Sequence, residues 1–156
     1  MGDISNKAAE AAQAFGGFVS GLIDRIAEEA RIIVPSTQSV PYKTNMYVGN
    51  RRVMAVRIPL GALPNSTTKV VPVPTAVTDV WDPTTAYLDT SNCFARSRTT
   101  STVLPLPHST SSDFFRTDNG IQITLTGPEV YIGCQTDMSG LDGFATVHYL
   151  EALPTT

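Results

Sequence analysis

Histidine and cysteine are nearly missing from this chain, with two of each in 156 residues. His108 and His148 lie far apart, as do Cys93 and Cys134, and no C-x-x-C, H-E-x-x-H or EF-hand loop occurs. No metal site and no cofactor is expected. The two thiols, set in apolar runs, read as packed small hydrophobes, with a bridge between strands as the alternative. Charge is also scarce: Asp, Glu, Lys and Arg make up 16% of the residues, against roughly 25% in an average soluble domain. Such thin charge suggests surface buried against partners. Eleven basic against fourteen acidic side chains leave a net charge of −3 with only three lysines, so the cationic excess that phosphate neutralisation requires is absent and nucleic acid is excluded as the main ligand. Long apolar runs are missing too. The longest uncharged stretch near the start, Ala11 to Ile23, has 13 residues, short of the roughly 17 to 25 a spanning helix needs, and it follows an acidic start. No signal peptide and no membrane anchor are expected.

What is present divides sharply near Pro35. Residues 1–34 contain neither proline nor threonine and hold seven of the fourteen alanines, while all eleven prolines and all twenty threonines lie beyond. In the first part, apolar residues fall at Ile4, Ala8, Ala11, Phe15, Val19, Leu22, Ile26, Ala30 and Ile33. Steps of three and four place them on one face of a single amphipathic helix. Asp3 or Ser5 can cap its start, and Pro35 drives residue 34 out of the helical region and closes it. The stripe repeats every eleven residues (Ile4, Phe15, Ile26; Ala8, Val19, Ala30; Ala11, Leu22, Ile33), a period of about 3.67 per turn that keeps a seam nearly straight or slightly right-handed. A helix of about 30 residues is roughly 45 Å long, too long to lie wholly on a small β-domain. The nine stripe residues are therefore the expected oligomerisation or anchoring surface, with an ordinary helix folded back on its own domain as the alternative. Gly16, Gly17 and Gly21 each cost about 1 kcal/mol in an isolated helix, and they either permit close packing or form a hinge.

From residue 42 the period becomes two. Ile121, Ile123 and Leu125 alternate with polar residues, as do Val130, Ile132 and Cys134, and Gly127-Pro128 between the runs marks an antiparallel hairpin. Ala145, Val147 and Tyr149 alternate with Thr146, His148 and Leu150 in a last strand, placing His148 on its polar side. Earlier strands are expected around residues 54–59, 70–73, 92–97 and 101–106, with Pro72, Pro74, Pro105 and Pro107 at edges or strand ends. The expected fold is mainly β, an antiparallel, jelly-roll-like β-sandwich preceded by one long N-terminal α-helix. Its parts are a helix over 1–34, a linker over 35–41, the sandwich over 42–152 and a tail over 153–156.

Local chemistry is sparse. His108 precedes the run Ser109 to Ser112 and could imitate a Ser-His pair, yet adjacency means little in so serine-rich a chain. Asp137, Ser139, Asp142 and their glycines read as a turn, since they lack the bidentate glutamate and spacing of a Ca²⁺ loop. Asp79, Asp82 and Asp89 read as turn residues, no paired carboxylates declare themselves, and no catalytic residue is named. Trp81 is the only tryptophan. With Tyr87, Phe94, Phe114 and Phe115 it could stack on a sugar, and Trp81 and Tyr87 are the expected ligand contacts of a glycan-binding alternative; the rival place for a lone tryptophan is the core. Residues 35–98 carry seven basic and three acidic side chains, and residues 99–156 one and six. Opposed patches of this kind could meet between neighbouring copies.

The run Arg57 to Val70, RIPLGALPNSTTKV, then Leu104-Pro105-Leu106-Pro107, then Glu129-Val130-Tyr131-Ile132, and the ending Gly143 to Glu151, GFATVHYLE, together resemble a domain that closes many bacteriophage tail-fibre and head-fibre chains. The likeness covers roughly residues 42–152; after the Thr67-Thr68-Lys69 strand, where that family usually has His-Gly-Ile, Val71-Pro72-Val73-Pro74 stands instead. It implies a compact β-sandwich on a phage particle, commonly a homotrimer without enzymatic activity, located on the virion after assembly in the host cytoplasm. Expected partners are further copies of the chain and capsid or tail proteins. A host surface glycan is the alternative partner.

Overall fold

The computed structural model describes residues 2–30, 39–108 and 120–154. The chain divides into two compact units, Met1–Ile33 and Val34–Thr156. The first is a single helix, α1, Gly2–Ala30, which runs unbroken through all three glycines. Its expected close at Pro35 lies outside the described residues.

The second unit is built from nine strands among the described residues, every pair antiparallel. They are β1 (Tyr42–Val48), β2 (Arg51–Ala62), β3 (Thr68–Pro72), β4 (Tyr87–Leu88), β5 (Phe94–Ser97), β6 (Val103–Pro105), β7 (Ile121–Thr126), β8 (Glu129–Cys134) and β9 (Leu141–Tyr149). The larger sheet has the order β1-β2-β9-β5-β6, with β4 also pairing β9, and the smaller has the order β3-β8-β7. The protein is thus mainly β, 47% strand against 22% helix, a β-sandwich-like fold preceded by one long helix.

One core joins the two sheets. Val56, Ile58, Leu60, Ala145, Val147 and Tyr149 point into it from the larger sheet, and Ile121, Ile123, Val130 and Ile132 from the smaller. These are the residues whose period of two marks one face of each strand. The β7–β8 hairpin turns at Gly127-Pro128, pairing Thr126 with Glu129. Gly127 takes the positive φ of 55° that a two-residue hairpin turn requires.

Where the chain crosses between sheets, the backbone bends deliberately. β2 carries a bulge between Pro59 and Gly61, and the Lys69 Nζ of β3 donates to the carbonyls of Leu60 at 2.6 Å and Ala62 at 3.1 Å. A cation thus satisfies the two acceptors on either side of Gly61, holding the corner from which Leu63 enters the core. Pro59 sits in a strand flanked by β1 and β9, but β1 reaches only to Ala55, so among the described residues the proline falls where that side of β2 has no strand partner.

Two strands, β1 and β4, fall outside the expected set. In β1 only Thr44 is buried, so no alternation announces the strand. The Thr44 hydroxyl donates to the Val53 carbonyl at 2.7 Å and accepts from the Met46 amide at 3.1 Å, stabilising a bulge between Lys43 and Tyr47. Bulge and lysine together blunt this sheet edge. Pro72 and Pro105 end edge strands, and Pro74 caps the short helix α2, Thr75–Thr78. The expected linker ends sooner than residue 41, since the Ser39 amide already bonds Arg57. At the other end, the Ala152 amide bonds Val80.

The expected polar face of β9 is corrected. Thr146, His148 and Leu150 are buried along with Ala145, Val147 and Tyr149. The reason is a chain segment that folds alongside and over this strand: β4 pairs His148 and Val147, Asp89 bonds Thr146 through backbone, the Thr85 hydroxyl accepts from the Leu150 amide, and the Thr146 hydroxyl donates to Asn92.

Replacing Lys69 with Met removes two charge-assisted bonds while keeping the apolar stem. It should lower stability by about 1 to 3 kcal/mol, read as a shift of the urea midpoint with an unchanged slope.

Candidate assembly surface and the buried histidine

The helix presents the first candidate site. Ile4, Phe15 and Leu22 of the expected stripe are exposed, between 41% and 79%, with Ala8 and Ala11 exposed beside them and Val19 partly covered. Ile26 and Ala30 lie on the helix with side chains outside the description, and Ile33 lies outside the described residues. Phe18 and Ile23, at 64% and 58% exposure, belong to the same face and escape a reading confined to steps of three and four. A helical projection at about 100° per residue would have found them flanking the stripe. A Cβ added at Gly16, Gly17 or Gly21 would meet nothing within 4 Å, so no neighbour within the described chain demands a glycine there.

The expected ligand contacts part company. Trp81 is 7% exposed and packs edge-on against Tyr149, ring centroids 6.4 Å apart, so the structure places it in the core rather than before a ligand. Tyr87 is 44% exposed, but its hydroxyl is directed at a side chain of its own fold. Phe94 stacks on Phe144 at 5.0 Å with the Arg57 guanidinium 5.6 Å over its ring. Phe114 and Phe115 lie outside the described residues.

The second candidate is the cluster around His148. The imidazole is 6% exposed; Tyr87 Oη lies 3.1 Å from Nδ1 and Asp89 Oδ2 lies 3.4 Å from Nε2. A neutral ring can accept the phenol proton at Nδ1, and the Asp89 carboxylate stands beside Nε2 as an electrostatic neighbour. Asp89 accepts from the Ser91 amide and from Asn92 Nδ2 at 2.6 Å. Burial lowers the His148 pKa from its ordinary value, and the nearby Asp89 charge, pulling the other way, offsets this only in part. Burial raises the Tyr87 phenol, with Asp89 adding to the effect. An activated tyrosine would need the opposite shift. The trio therefore reads as a clasp that holds β4 and the chain after it against β9.

The remaining candidates resolve into structure. Cys93 and Cys134 are free and buried, and burial raises both thiol pKa values, which removes the thiolate that reactivity requires. Asp79 ends α2, Asp82 accepts from the Thr84 amide and hydroxyl, and Asp137 accepts from the Ser139 amide. Asp142 is gripped by Arg98 at 2.6 Å, so one pair of the opposed charges meets within the chain. His108 pairs through backbone with Ile121, and Ser109 to Ser112 lie outside the described residues. Among the described residues no group of three or more His, Cys, Asp or Glu side chains could hold a metal ion, and no helix is long and apolar enough to cross a membrane.

No family model matches the chain, and neither a curated protein nor a solved structure matches it. The site must be read from its own chemistry.

Because His148 is held neutral in the fold, the unfolded chain takes up a proton first as pH falls below about 6.5. The contribution is complete above that value and is lost progressively toward the depressed native pKa. Between pH 7.5 and 5.5 the native chain should lose more stability than His148→Gln, whose amide can still donate and accept. An equal loss of stability in the native chain and the variant between the two pH values, read from denaturant midpoints, would exclude the clasp as a pH-dependent element.

Proposed function

We propose that the chain is a non-enzymatic structural protein of a bacteriophage virion, a short fibre or capsid decoration whose helix assembles or anchors it and whose β-sandwich unit is displayed. The observation that carries the reading is the division of labour between the units. The β unit contains a closed core of its own, while the helical unit keeps its large apolar side chains exposed. Burying half of the nine stripe side chains at roughly 1.5 to 3 kcal/mol each gives several kcal/mol before ordering costs, enough to make partners part of the design.

Sequence likeness to phage fibre domains supplies the setting. Its four signatures fall on the strands that build the fold: Arg57 to Val70 covers the end of β2, the Lys69 corner and β3; the others fall on β6, β8 and β9. Nothing in the site favours catalysis, since the buried histidine faces a raised phenol. The glycan-binding alternative loses its principal contact with Trp81 in the core.

Phe15→Asp combined with Leu22→Asp should leave the cooperative melting of the β unit unchanged and abolish incorporation into particles. Purified virions produced by the genome that encodes the chain, probed with antibody to the β unit, should label for the native chain and not for the variant. Particles free of the native chain would overturn the proposal.

A further inference from the structure

We infer that the segment from Asp82 to Asn92 is a strap that swings off β9 as a unit while the rest of the β unit stays folded, and that protonation of His148 promotes the opening. The inference goes beyond the structural reading above and does not depend on it.

The first argument is how the segment is held. It runs between two buried anchors: Trp81, packed against Tyr149, and Cys93, whose carbonyl accepts from the Leu106 amide at 2.9 Å. Between them no residue is fully buried, and of the apolar side chains Ala86 and Leu88 pack against the core. The fastenings are mostly polar. The Asp82 amide donates to the Leu150 carbonyl at 2.7 Å and the Asp89 amide to the Thr146 carbonyl at 2.9 Å. The Leu150 amide donates to the Thr85 hydroxyl at 3.0 Å and the Thr146 hydroxyl to the Asn92 carbonyl at 2.9 Å, and the two residues of β4 pair with β9. Further bonds are internal, from Asp82 to Thr84 and Thr85 and from Asp89 to Ser91 and Asn92, so the segment keeps its shape when its outer bonds part. A region with few buried apolar contacts and exposed hydrogen bonds opens at a fraction of the global unfolding free energy.

The second argument is what the strap covers. Beneath it lies His148, with Tyr87 and Asp89 of the strap facing its two ring nitrogens. Asp89 acts in turn on Cys93 and on Tyr42 of β1, which also feels Arg57 of β2. Histidine is the one residue type in this set whose ordinary titration falls between pH 5 and 8. Burial disfavours the charged ring more than Asp89 favours it. Lifting the strap returns the ring to water, where it takes up a proton below about pH 6.5, so the open form gains population as pH falls. Opening also strips β4 from His148 and Val147 and leaves that length of β9 without a partner on one side.

The two free, buried cysteines report the opening. Cys93 Sγ lies 3.2 Å from the Asp89 carbonyl, beneath the strap, whereas Cys134 belongs to β8 of the other sheet. The full chain is mixed with excess dipyridyl disulfide, which forms a mixed disulfide with each thiol it reaches and releases thiopyridone. Initial rates at each cysteine are read by mass spectrometry between pH 7.5 and 5.5 and divided by those of unfolded peptides carrying the same thiols. Cys93 should react roughly tenfold or more faster than Cys134. Its corrected rate should rise several-fold on acidification, about tenfold at most, and His148→Gln should flatten that rise. Tyr87→Phe, which removes one fastening at a half-exposed side chain, should speed Cys93 at pH 7.5 and leave Cys134 unchanged. A Cys93 rate no faster than that of Cys134, or equal acceleration of both by Tyr87→Phe, overturns the strap as a separate unit. A corrected Cys93 rate that is flat with pH, or that rises as steeply in His148→Gln, overturns the part assigned to His148.

Discussion

Burial of β9 on both faces is the constraint around which the β unit is organised. This one strand pairs with β2 along most of its length and with β5 and then β4 on its other side. Its Ala145, Val147 and Tyr149 enter the central core, and Thr146, His148 and Leu150 must then be covered from the other direction. A buried hydroxyl and a buried imidazole are tolerable only with partners. Asn92, Tyr87 and Asp89 provide them, which is why the irregular segment between Asp82 and Cys93 is pinned down by its hydrogen bonds.

The helical unit obeys the opposite logic. Its apolar residues follow the spacing of an amphipathic helix despite three glycines, and Ile4, Phe15, Phe18, Leu22 and Ile23 of the helical unit are exposed. The two units therefore differ physically: one encloses a core of its own, while the other leaves large apolar side chains exposed. Within the sandwich the edges are protected, because the Thr44 bulge and the edge prolines discourage pairing through strands.

Much of this was legible in the residues. The break at Pro35 separates helix from sheet in composition alone, and the β7–β8 hairpin was readable down to its turn, because its solvent face keeps polar residues and its alternation survives. β1 was not readable, since one buried threonine in seven residues leaves no period to detect. β4, two residues long, is shorter than any window in which a period can be measured. Of the site, Phe15 and Leu22 were identifiable from spacing, whereas Phe18 and Ile23 required the width of the face to be considered. The importance of His148 was hidden by its alternation with apolar neighbours, which normally marks an exposed position.

Periodicity is a local property, and it settled what local forces decide: where the chain is helical, where it is extended, which face of the helix is apolar and where the hairpin turns. Burial of a second face depends on residues brought together across long stretches of chain. Tyr87 and His148 are 61 positions apart, and nothing near either one specifies the other. Tertiary structure alone therefore placed Trp81 against Tyr149, enclosed His148, paired Arg98 with Asp142 within the chain and tied Lys69 to the corner between the sheets. In each case the partner that determines the side chain's role lies beyond the reach of any short-range pattern.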